Sequence, residues 1–158
     1  MFDEALIDYL VEFHAKRDYF ECHEILEERW KEDVKEKRQV YWVALIQIAV
    51  GMYHYRRENK SGAKKMLERA VSKVKETEEQ LEQLEQLGFH TKRLIELIEG
   101  QIGLIEKDMP YESIELPLKD ALMQACLVYC QPKGIVFLQK SDLTDTSLLN
   151  KHRLRLRD

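Results

Sequence analysis

At 158 residues, 44 % of them apolar and 34 % charged, the chain has the length of one domain with a real core and is short for two. Only three Pro and six Gly argue against a turn-rich all-β fold and point to helices. Twenty-five basic against 29 acidic side chains leave a formal charge of -4, which disfavours general binding of polyanions, makes nucleic acid an unlikely partner and leaves room only for a local basic patch.

The chain starts Met1-Phe2-Asp3-Glu4, acidic and without the basic and then apolar regions of a secretory leader, so a cytoplasmic location is expected. A first helix is predicted from Phe2, Ala5, Leu6, Tyr9, Leu10 and Phe13, whose three-and-four spacing makes one apolar stripe, ending near Lys16. Asp18 then caps a second helix that carries Phe20, His23, Leu26, Glu27 and Trp30 on one side, and the charged run Lys31 to Arg38 reads as a connection. The third helix, from about Gln39 to Arg57, is apolar on nearly every face, as the central element of a bundle should be. Its run from Val40 to Tyr53 falls short of the ~20 residues a membrane span needs, and no membrane is expected as a partner. Gly51 inside that helix costs about 1 kcal/mol against Ala, so a close backbone approach is expected there.

Asn59 or Ser61 caps a fourth helix running through Leu67, Ala70, Val74, Thr77, Leu81 and Leu84 until Gly88 closes it. A fifth, from about Thr91 to Lys107, follows so closely that the two should pair antiparallel. Pro110 to Pro117 reads as an extended connection, with Pro117 in the first turn of a sixth helix that carries Leu118, Ala121, Leu122, Ala125, Cys126 and Tyr129. Ile135 to Leu138 is a short β-prone run, and Lys151 to Arg157 a basic tail. Cys22, Cys126 and Cys130 form no CxxC pair and read as reduced core thiols.

The candidate site lies between the second and third helices. Folding the sequence about residue 36 sets Glu27 opposite about Leu45 and His23 opposite about Ala49, so Glu27 is expected to reach Gln47, and His23 to approach Gly51 or His54. His23, Glu24, Glu27, Gln47 and His54 therefore make a candidate polar pocket. A buried carboxylate must be hydrogen-bonded, protonated or bound to a cation. The first reading is a network that fixes how the two helices pair, with no cofactor. The alternative is a divalent transition-metal site, or a metal-assisted hydrolase, built from His23, Glu27 and His54, because His and carboxylate at i and i+4 stack on one helix face. An HExxH zinc motif would need His at position 27, and a ferritin-like site would need two ExxH pairs.

Other chemistry has less to stand on. His14 and His90 sit at helix ends among polar neighbours and are expected at the surface. Cys22 and His23 point about 100° apart on a helix and form no dyad by adjacency. Arg56, Arg57, Lys60, Lys64 and Lys65 gather cations at a helix N-terminus, a candidate anion or nucleic-acid site.

The run Tyr19-Phe20-Glu21-Cys22-His23-Glu24-Ile25-Leu26-Glu27 with Trp30, then Leu45-Ile46-Gln47 with His54, then Asn59 with Gly62-Ala63 and Leu67, resembles the bacterial and archaeal family called domain of unknown function 309, over about the first 70 residues. The resemblance implies a small all-helical protein with these His, Glu and Gln positions as its characteristic polar residues, and no established activity. The family tends to have Gly directly before that Asn, where this chain has Glu58. The expectation is an all-α, single-domain bundle of about six helices over residues 1–158. It has a family-like core over 1–90, added helices over 91–131 and an irregular basic extension over 132–158. Its expected role is a non-catalytic interaction or scaffold module with an unknown protein partner, and a homodimer is a further expectation.

Overall fold

The computed structural model describes residues 1–149. The predicted basic tail, Lys151 to Arg157, lies outside them. Among the described residues eight α-helices follow one another: α1 Glu4–Val11, α2 Tyr19–Glu32, α3 Val40–Arg56, α4 Lys60–Lys75, α5 Glu78–Leu87, α6 Thr91–Glu106, α7 Asp120–Cys130 and a short turn, α8, Thr146–Leu149. Among the described residues there is one isolated β-bridge, Phe89 with Leu118, and no strand. The all-α expectation holds, and no helix there is long and apolar enough to cross a membrane.

Local chemistry sets the helix ends. Asp3 caps α1 by accepting from the Ala5 N–H at 2.9 Å, Asp18 caps α2 through Glu21 N–H at 3.1 Å, and Asn59 caps α4 through Gly62 N–H at 3.1 Å. The fourth predicted helix is two. Thr77 takes an extended backbone (φ -142°, ψ 156°) and its Oγ1 accepts from Gln80 N–H at 3.2 Å, capping α5. The apolar three-and-four spacing runs across this break, which is why periodicity alone joins the two pieces. α6 packs chiefly against α4 and only lightly against α5. The sixth predicted helix starts later than expected: Pro117 and Leu118 precede α7, where the Pro117 carbonyl accepts from His90 N–H at 2.9 Å and Leu118 forms the bridge. Ile135 to Leu138 is irregular.

α3 lies between α2 and α4, and its buried side chains join a single apolar core running from Leu6 to Phe137. The expected close approach at Gly51 is real. A Cβ there would sit 2.6 Å from Leu67 Cδ2 and 2.8 Å from its Cγ, so the α3–α4 contact needs a residue without one. Cys22, Cys126 and Cys130 are all free thiols buried in this core. Leu127 and Val128 on α7, with Val136 and Leu138 beyond it, stay exposed.

Between α1 and α2 a five-residue π-type turn, Glu12–Lys16, leads to Arg17 in the left-handed conformation (φ 59°). This turn buries a polar hub. His14 is fully buried, a correction to its predicted surface position: Leu10 carbonyl lies 2.8 Å from its Nδ1, and Leu116 N–H reaches its Nε2 at 2.9 Å. A neutral imidazole, donating at Nδ1 and accepting at Nε2, uses both bonds. Burial, with a smaller push from Arg17, lowers its pKa to about 4 although the Leu10 bond acts the other way. Arg17 donates from Nε to Gln139 carbonyl at 2.6 Å and from Nη1 to Ile114 carbonyl. Arg56 lies with its guanidinium 4.5 Å from the Tyr19 ring centroid and donates to the carbonyls of Arg17 (2.6 Å) and Leu148 (3.3 Å). These bonds strap the irregular segments 111–116 and 135–145, and α8 after them, across the α1–α2 junction.

Candidate functional site

On the other side of α2, a cleft of about 190 Å³ opens between α2 and α3, lined by Tyr19, Phe20, His23, Val50, Tyr53 and His54. The spacing explains the set. Tyr19, Phe20 and His23 share one face of α2 at three- and four-residue steps, and Val50, Tyr53 and His54 share one face of α3. The rings interlock, with Phe20 5.5 Å from His23 and 5.8 Å from Tyr53, and Tyr53 5.8 Å from His54, centroid to centroid. The wall is mostly apolar, with imidazoles contributed from both helices.

Of the five residues expected to form the polar pocket, the structure brings His23 and His54 to this cleft and leaves Glu24, Glu27 and Gln47 off its lining. Glu27 does not turn inward to Gln47. It is 39 % exposed, and its two oxygens meet His23 Nε2 and Lys31 Nζ, each at 2.9 Å. The hydrogen bond from Lys31, and then the His23 imidazole, hold its carboxyl below the usual range against the opposing effect of partial burial. His23 is thus fixed by a carboxylate through Nε2, while its Nδ1 is sealed from solvent with no hydrogen-bond partner. Gln47 Oε1 is in the same condition. Each such orphan costs about 1–3 kcal/mol, a cost in this interface that does not serve its stability.

Among the described residues, no three of His, Cys, Asp and Glu stand together as potential metal ligands, so His23, Glu27 and His54 are not assembled as a set. His54 Nδ1 instead lies 3.3 Å from Asn59 Nδ2, and the Lys31 ammonium occupies the second Glu27 oxygen. Burial pushes the Cys22 thiol well up and the Cys126 thiol to about 12, the opposite of what a thiolate nucleophile needs. The proposed cation group disperses. Arg56 is buried in the hub, Arg57 lies 5.7 Å from the Tyr53 ring centroid, Lys60 bonds Asp108, Lys64 stands 3.7 Å from Glu68, and Lys65 is exposed.

Sequence reasoning found the two histidines and missed Val50 and Tyr53 as lining residues. The signal for those two was their three- and four-residue offset to His54 on a helix read as apolar all round. The hub of His14, Arg17 and Arg56 was also missed, because each stands among charged neighbours in sequence.

A family model described as "Domain of unknown function (DUF309)" matches residues 6–66, a span that contains every residue of the cleft. The chain is 48 % identical over 156 residues to "Uncharacterized protein YpuF" of Bacillus subtilis (strain 168), covering 98 % of this chain and 88 % of that relative. No solved structure matches the chain.

Proposed function

The chain belongs to the domain of unknown function 309 family, and from that premise we propose that it is a non-catalytic interaction module whose recognition site is the α2–α3 cleft. One observation carries the reading. The cleft is a mostly apolar concavity walled by aromatic and imidazole rings, and of its two histidines His23 is held by Glu27, a carboxylate off the lining that also pairs with Lys31, while His54 lies beside Asn59. Aromatic walls around a side-chain-sized hollow suit anchoring of an apolar side chain from a partner, the usual centre of a binding hot spot. The sealed, unpartnered Nδ1 of His23, a residue of its wall, supports a role beyond stability, since folding alone favours its replacement.

The test compares the full chain with Val50→Trp, which fills the cleft from the α3 side. Each is immobilised at micromolar concentration, and proteins retained from the source organism are identified. The reading expects at least one partner held by the native chain and lost by a variant of equal melting temperature. Light scattering runs in parallel to detect self-association through the exposed apolar side chains of α7. A monomer that retains nothing, or retains the same proteins with the cleft filled, ends the proposal.

A further inference from the structure

We infer that the chain holds a small phosphate-type oxyanion in a second hollow, of about 250 Å³, between the irregular segments 111–116 and 135–145. Its lining is Tyr111, Glu112, Ser113, Lys140, Ser141 and Leu143. This site is a different one from the α2–α3 cleft and does not depend on the recognition reading. A count of hydrogens and a count of charges carry it.

Four hydroxyls meet at the hollow. The Tyr111 hydroxyl contacts that of Tyr19, Ser141 Oγ at 2.6 Å and Ser113 Oγ at 3.4 Å. Each hydroxyl has one hydrogen to donate, so these three contacts use at most three of the four. Two further donors point into the cluster: Ser141 N–H to Ser113 Oγ at 2.7 Å, and Arg56 Nη1 to Ser141 Oγ at 3.5 Å. Among the described residues no carbonyl or carboxylate accepts from any of the four hydroxyls. At least one O–H is therefore left over in a cluster that gains donors and no outside acceptor, and the hollow beside it is where an acceptor fits.

The charges point the same way. Arg17 is 2 % and Arg56 5 % exposed. Their guanidiniums bond the carbonyls of Gln139, Ile114, Arg17 and Leu148 and the Ser141 hydroxyl, and among the described residues neither pairs with a carboxylate. Lys140 adds a cation on the lining, where Glu112 is the one acid. A buried charge without a counter-charge is costly. Water would take the spare hydrogen and leave that charge unmatched. A tetrahedral oxyanion answers both, since its oxygens accept from several hydroxyls at once and its charge suits Lys140 and the guanidiniums behind Ser141.

The experiment titrates the full chain with inorganic phosphate and, separately, with glycerol phosphate, at an ionic strength held constant with sodium chloride. Amide NMR shifts and melting temperature are read. Both probes should saturate one site at millimolar concentration or below, raise the melting temperature and move the amide signals of Ser113, Lys140 and Ser141. Ser141→Ala and Lys140→Gln should each weaken binding by roughly fivefold or more, Lys140→Arg should preserve it, and Glu112→Gln should tighten it by about twofold. Arg17 and Arg56 hold the hub together and are left unchanged.

Tighter binding of glycerol phosphate gives the Leu143 side of the hollow to an ester group, and equal affinity gives the site to the free ion; both support the inference. It is overturned if neither probe produces a saturable change, if chloride alone reproduces the change, or if Ser141→Ala and Lys140→Gln bind with undiminished strength. The amide shifts are read on the native chain, so signals that move elsewhere overturn it even where a substitution lowers the melting temperature.

Discussion

His14 and His23 stand nine residues apart on successive helical segments, and their surroundings are opposite. His14 is fully buried, bonded at both ring nitrogens to backbone groups, and belongs to a hub that straps remote segments together. His23 is 30 % exposed, pairs with a half-exposed carboxylate, keeps one ring nitrogen unpartnered and lines a cleft. A polar group satisfied on every side serves the fold. One left partly unsatisfied is held there at a cost; the hub has such an atom too, Arg56 Nε, so what sets His23 apart is the hollow that its ring lines.

Breaking the buried side of this contrast gives the largest effect. The folded-state pKa of His14 is lowered from 6.5 to about 4, so the unfolded chain binds a proton that the native chain refuses throughout that interval. Stability is therefore unaffected by this group above pH 6.5 and falls as pH drops toward 4, by roughly 3 kcal/mol in total. His14→Phe is expected to cost about 2–4 kcal/mol at pH 7, because it strands the Leu116 N–H, and to flatten the acid slope. Urea denaturation at pH 7 and pH 5 reads both. An unchanged slope in the variant would show that another group controls the acid side.

Next comes the back of α3. Val50 faces the cleft, and its neighbour Gly51 is pressed against Leu67. Gly51→Ala gains about 1 kcal/mol of helix propensity but forces the fully buried Leu67 to move, so a net loss of about 1–2 kcal/mol is expected. A milder loss in a Leu67→Val background, measured as a double-mutant cycle, would tie the cost to that contact. Equal losses in both backgrounds would point elsewhere.

Glu58 supplies a smaller effect of the opposite sign. It follows the α3 C-cap with φ 67°, a conformation an L residue adopts at a cost of ~1–2 kcal/mol. This is the position where the family tends to have Gly. Glu58→Gly relieves that strain while loosening the unfolded chain, for a net gain of about 0.5–1 kcal/mol. Thermal melting checks it, and a lower melting temperature would refute the argument.

These substitutions also mark what sequence could convey. Helix identity, the Asp18 and Asn59 caps, the central place of α3 and the Gly51 contact follow from spacing and backbone preferences that act within a few residues. The break at Thr77 was hidden because the apolar period continues across it. The hub of His14, Arg17 and Arg56 was hidden for a different reason: their partners Leu116, Gln139 and Leu148 are contributed by segments about 90 to 120 residues further on. Local polarity says surface, and only the strap across the α1–α2 junction makes those positions interior. The cleft was half visible, since both histidines were marked but the aromatic character of their shared hollow depends on how α2 and α3 are rotated.

The smallest expected effect is the one that separates the two regions most sharply. If Glu27 were the buried acid that its place on the apolar stripe suggested, removing its charge would disturb a desolvated network and cost several kcal/mol. Its carboxylate is instead 39 % exposed between His23 and Lys31, in the range where ion pairs contribute about 0–1 kcal/mol. Glu27→Gln should therefore change stability by no more than about 0.5 kcal/mol, and added salt should change the native chain little at this site. Its consequence lies in the cleft. Without the carboxylate, nothing on α2 fixes the His23 ring through Nε2, so partner retention should weaken while melting stays put. A loss of stability comparable to that of His14→Phe would place Glu27 with the interior hub, and the contrast between the two histidines would no longer distinguish fold from recognition.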